Sequence, residues 1–183
     1  MRGMTSMDGP GSAASFLWLW VAMSAAMMLP SVVPAASLAA SLAQSSAAFV
    51  TGYFALWAGA GVVGFEAARG LTEGGRWIAA TAVAVAAVYQ LSPLKAACLR
   101  RCRSPLGSLL TRRAFAAGLE HGALCLGCCW ALMLALLALG AGSIFWMAAV
   151  AAAIFVEKVT MIGARASVPV ALALLGAAAG IAL

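Results

Sequence analysis

AFAAGLEHGALCLGCCWALMLALLAL, Ala114–Leu139, runs for twenty-six residues with a single formal charge, Glu120. About 20 apolar residues suffice to cross the hydrocarbon core of a bilayer as a helix, so this stretch reads as a membrane span. Five further runs read the same way: residues 15–36, broken by Pro30 and Pro34; 47–68; 76–94, which Pro93 kinks or ends; 143–160; and 167–183. The whole 183-residue chain is 65% hydrophobic and 9% charged, with a mean hydropathy of +1.05, far too apolar for a soluble domain of this length. The expected fold is therefore all-α: a polytopic transmembrane helical bundle of about six helices, forming one integral membrane domain over residues 1–183.

The first apolar run is not read as a cleaved leader. Arg2 is the only basic residue ahead of it and Asp8 lies beside it, while the run itself is long, holds Trp18, Trp20 and Pro30, and lacks a cleavage end. We read it as a retained first helix.

Charge sets the orientation. The segment 95–113 holds Lys95, Arg100, Arg101, Arg103, Arg112 and Arg113 and no acid, so it is expected as a basic cytoplasmic loop. Alternating outward puts Lys158 and Arg165 inside and the cancelling set Glu66, Arg69, Glu73 and Arg76 outside. Both ends, including a short tail of residues 1–14, then come out extracytoplasmic. The expected location is a bacterial inner membrane, with the lipid bilayer as the main partner. The net charge of +6 is gathered in that one inter-helix segment, as a topology determinant is, and does not point to nucleic acid.

The chemistry is concentrated in the same region. All five cysteines and the single histidine fall between positions 98 and 129. At about 100° per residue, His121, Cys125, Cys128 and Cys129 share roughly a third of one helical face. Cys98 and Cys102, spaced i and i+4 in CLRRC, share a face if the helix continues past Pro93. Thiolates and neutral imidazole are ligands for Cu(I) and Zn(II), and Met27 and Met28 of the first helix add thioethers suited to Cu(I). On a rise of 1.5 Å per residue, His121 lies about 10 Å and Cys128 about 21 Å along the fourth span, a depth that Met27 and Met28 match. Ionisable groups inside a bilayer are costly and are read as functional by default. The bland alternative is close packing by small residues, which Gly118, Gly122 and Gly127 promote on this helix. Glu120 is expected to pair with Lys95 or an arginine, and Glu157-Lys158 to be an interfacial ion pair or a snorkelling lysine.

These residues resemble an uncharacterised bacterial family of predicted metal-binding integral membrane proteins. The resemblance runs from the first helix to about Val159. It is carried by AMMLP (26–30), Gly52-Tyr53 with Trp57, YQLSPLKAACLRRCRSP (89–105), GLEHGALCLGCCWALM (118–133), Trp146-Met147 and Glu157-Lys158. The two long central blocks are the specific ones. Where it leads us to expect Met-Asn ahead of Trp146, the chain has Gly142-Ser143, so a methionine ligand there would be missing.

The leading expectation is a membrane protein that takes up, buffers or delivers a soft metal, Cu(I) first and Zn(II) second. Its ligands would be His121, Cys125, Cys128, Cys129, Cys98, Cys102, Met27 and Met28, and its partner a metallochaperone or a larger membrane complex. A membrane thiol–disulfide oxidoreductase using Cys125 and Cys128 is the one enzymatic alternative. A non-catalytic subunit or assembly factor of a membrane complex is the third, and homo-oligomerisation is left open. No paired carboxylates, Ser-His-Asp set, phosphate loop or haem motif point to other catalysis.

Overall fold

The computed structural model describes residues 13–160 and 163–183, with backbone alone at 30, 31, 163 and 164. The tail expected outside the membrane, with Arg2 and Asp8, lies outside the described residues as far as residue 12. The described residues form eight helices and no strand: α1 Ala13–Ser41, α2 Ser46–Glu73, α3 Gly75–Gln90, α4 Pro93–Cys102, α5 Leu106–Thr111, α6 Ala114–Leu139, α7 Ile144–Val159 and α8 Gly163–Ala182. The fold is an all-α bundle. Three helices, α2, α6 and the Arg165–Ala182 part of α8, are long and apolar enough to cross a membrane; the number rises to five if each of two bent pairs counts as one span.

The bends follow from proline chemistry. Residues 30 and 34 remove amide donors from the ladder of α1, whose two parts meet at 71° between Leu29 and Val32. At the second bend α3 stops at Gln90. Ser92 then caps a new helix by accepting from the Lys95 amide at 3.1 Å, with Pro93 in its first turn, and α4 leaves at 66°. The basic segment 95–113, expected as a loop, is thus largely folded into α4 and α5. Helix α7, the fifth expected span, has 16 residues, shorter than the roughly 20 a perpendicular crossing needs. Helix α6 ends at Gly140, whose φ of 104° suits a residue without a side chain.

Helix α6 is the axis of the bundle, with α2, α3, α4, α5 and α7 against it, while α1 covers α2 and α8 covers α3 and α7. Along the α2–α6 seam the backbones nearly touch. A Cβ on Gly118 would overlap the Phe49 carbonyl, and one on Gly52 would overlap that of Phe115. Backbone cannot turn aside as a side chain can. Gly118→Ala is therefore expected to cost about 1–3 kcal/mol by overpacking, lowering the thermal midpoint in detergent by roughly 2–12 °C. Gly59→Ala, which meets nothing within 4 Å, is the control. Equal midpoints for the two variants would contradict the close seam.

Candidate metal centre

The α6 face read from periodicity is buried. Cys125 and Cys129 are 1% exposed, Cys128 2% and His121 3%, all turned into the bundle. Helix α1 brings Met28 to them: its Sδ lies 4.0 Å from Cys125 Sγ. Helix α2 brings Tyr53, whose hydroxyl and Cys125 Sγ hydrogen-bond at 2.8 Å. Helix α4 brings Cys102, which is 8% exposed and lines a cavity together with His121 and Lys158. All five cysteines are free thiols.

Of the two remaining expected ligands, Cys98 packs against Gly127, and Met27 is buried next to Met28. Cys98 fills the notch left by Gly127, where an added Cβ would lie 2.9 Å from its sulfur, and Gly127 is nearly opposite Cys125 round α6. Beside it the Tyr89 hydroxyl donates to the Gly127 carbonyl at 2.5 Å. Met27 is buried in the same core as Met28, one residue and about 100° away round the helix.

Among the described residues no three His, Cys, Asp or Glu side chains are gathered in an arrangement that could hold a metal ion. The reason is visible in the rotamers. The thiols of Cys128 and Cys129 donate back to the Cys125 carbonyl, at 3.1 Å and 2.9 Å, instead of pointing at Cys125 Sγ. The centre is taken by Lys158, whose Nζ is 2.7 Å from Cys125 Sγ and 3.5 Å from Met28 Sδ. Turning two thiols about χ1 would bring them inward, a change between staggered wells that leaves the backbone in place.

Lys158 and its neighbour correct the sequence reading. Both were expected at an interface; instead Glu157 is 2% and Lys158 8% exposed, and they do not pair with each other. Glu157 accepts both its 2.7 Å contacts from Lys95 Nζ, with further bonds from Gln90 Nε2 at 2.8 Å and Ser167 Oγ at 3.1 Å. Lys95 also donates to Gln90 Oε1. Glu120 does find an arginine, Arg112, at 2.7 Å near the surface.

His121 sits between the rings of Phe49 and Tyr53, at centroid distances of 5.7 Å and 5.9 Å. Its Nδ1 is buried with no hydrogen-bond partner. A buried polar atom left so costs about 1–3 kcal/mol, and a bound cation would relieve it. A cavity of about 420 Å³ lies alongside, lined by His121, Cys102, Lys158, Pro34, Arg103 and Pro105 among others. Thiols, a thioether and an unpartnered imidazole form a donor set that fits a soft monovalent metal.

No curated protein and no solved structure matches the chain. A match to a protein family extends over residues 17–181, taking in both cysteine blocks, Met28 and Lys158. The chain belongs to that family, whose description is PpoB2, copper chaperone.

Proposed function

We propose that this protein receives Cu(I) within a membrane, holds it among Cys102, Cys125, Cys128, Cys129, His121 and Met28, and passes it to an acceptor of similar ligand chemistry. The observation that carries the reading is the meeting of Cys125 from α6 and Met28 from α1 in a buried core, with Cys102 from α4 lining the adjoining cavity beside His121 and Lys158. Thiolate and thioether sulfur select Cu(I), and the thioether ranks Cu(I) above Zn(II) here. Cys98 and Met27 stand beside this set and not in it.

A membrane setting is supported by the outer surface. Ile144, Phe145, Val63 and Val88 are between 69% and 83% exposed, an apolar exterior that lipid accommodates and water does not. The cavity opens beside Arg103, at the arginine-rich end, which the positive-inside rule makes cytoplasmic. Cys102 and His121 line that opening, so they are the first donors an incoming ion meets. With no phosphate-binding loop in the sequence, the direction of transfer follows relative affinity for donor and acceptor.

The test is the metal content of the detergent-purified protein, isolated reduced and free of chelators, beside Cys125→Ser/Cys128→Ser/Cys129→Ser. We expect near-stoichiometric copper in the wild type after Cu(I) loading and almost none in the triple variant. Equal copper in both, or none in either, would overturn the proposal. Retained zinc in place of copper would redirect it.

A further inference from the structure

We propose that Lys158 is an internal stand-in for the cargo: its ammonium fills the metal-free centre, and Cu(I) loads by exchange with it. The inference rests on the Cu(I) site proposed above and adds how that site is kept in waiting. Three distances define the geometry. Lys158 Nζ is 2.7 Å from Cys125 Sγ and 3.5 Å from Met28 Sδ, and the two sulfurs are 4.0 Å apart. That sulfur separation is close to two metal–sulfur bonds of ~2.3 Å each. By the same triangle, Nζ lies nearer the midpoint of the two sulfurs than it does to either sulfur. Two cations held at one pair of sulfurs repel each other at close range, so the ammonium and a metal ion compete for that pair.

Charge makes the same case. A buried ammonium needs a partner, and the carboxylate next to Lys158 in sequence is bound by Lys95, Gln90 and Ser167. Sulfur is what Lys158 has. Cu(I) carries the same unit charge, so exchange leaves the charge at the sulfurs unchanged once the ammonium has left. The ammonium also has somewhere to go. Lys158 itself lines the cavity of about 420 Å³ beside Cys102 and His121, which holds on the order of ten waters at ~30 Å³ each. A flexible four-carbon stem lets the head swing into it. With the ammonium withdrawn, Cys128 and Cys129 have room to turn from the Cys125 carbonyl towards the ion, each that binds releasing its thiol proton to water in the cavity. The lysine thus occupies the sulfurs until a Cu(I) ion that binds them strongly enough to displace it arrives.

The chain contains two lysines, Lys95 and Lys158, so amine acetylation reads the exchange directly. The full-length reduced protein in detergent would be treated briefly with acetic anhydride, without metal and with one equivalent of Cu(I), and the modified sites mapped by mass spectrometry. Bound copper is measured in the same samples. Expected is slow labelling of both lysines without metal, and at least a tenfold faster labelling of Lys158 alone on loading, with Lys95 as the internal standard. Copper bound with Lys158 still protected would overturn the exchange while leaving the Cu(I) site standing. Equal labelling of Lys158 in both states, or a parallel rise at Lys95, would overturn it as well. No bound copper would sink the Cu(I) site and the exchange together.

Discussion

Cys125→Ser is expected to weaken Cu(I) binding by about a hundredfold or more, whereas Cys98→Ser should leave it within about twofold. Cys125 is the hub: Met28, Tyr53 and Lys158 all meet its sulfur, and Cys128 and Cys129 meet its carbonyl. Serine keeps the hydrogen-bonding volume, so Tyr53 and Lys158 retain a partner, but a hydroxyl is a hard, weakly acidic donor unsuited to Cu(I). Even groups that only orient a ligand typically cost 10–100-fold when lost, so loss of the central ligand should cost at least that, about 2.7 kcal/mol. Cys98 packs into the Gly127 notch on another side of α6. Competition against a Cu(I) chelator measures both variants. Comparable losses for the two would mean that the metal sits nearer α4 than this geometry has it.

That contrast also shows where sequence reasoning stopped. His121, Cys125, Cys128 and Cys129 lie on one continuous helix, and helical periodicity alone puts them on one buried face. The bend at Pro93 was equally legible, because proline chemistry is local. Cys98 and Cys102 share a helical face by their spacing, yet Cys102 lines the cavity beside Lys158 and His121 while Cys98 packs against Gly127. Which turn of α4 faces Cys125 depends on the 66° angle at which it leaves α3, a tertiary quantity that spacing does not encode. Lys158 was missed for a related reason. A Glu-Lys pair at the end of an apolar helix normally meets water, but α7 is 16 residues long and its last turn is covered by α8 and the α3–α4 bend. Adjacent residues on a helix point about 100° apart. Glu157 therefore faces Lys95 and Lys158 faces the sulfurs, a division that charge patterning along the chain could not have given.

Lys95→Met is expected to be the most destabilising of the single substitutions considered. Lys95 from α4, Gln90 from α3, Glu157 from α7 and Ser167 from α8 converge in the interior, with Lys95 1% and Glu157 2% exposed. Four helices are tied at one carboxylate. Methionine matches the lysine stem in length and apolar character, so packing changes little, but Glu157 is left buried with two neutral donors and no countercharge. Removing one member of a buried pair typically costs about 3–5 kcal/mol, whereas replacing both members with apolar groups is often neutral. Lys95→Met/Glu157→Leu should accordingly recover most of what the single change loses. Thermal unfolding in one detergent, followed by tryptophan fluorescence, compares the three proteins. A single variant as stable as the wild type would mean that the quartet does not hold the helices together. A double variant no better than the single would assign the loss to packing around α4, and the pair's electrostatics would then carry none of the stability ascribed to them.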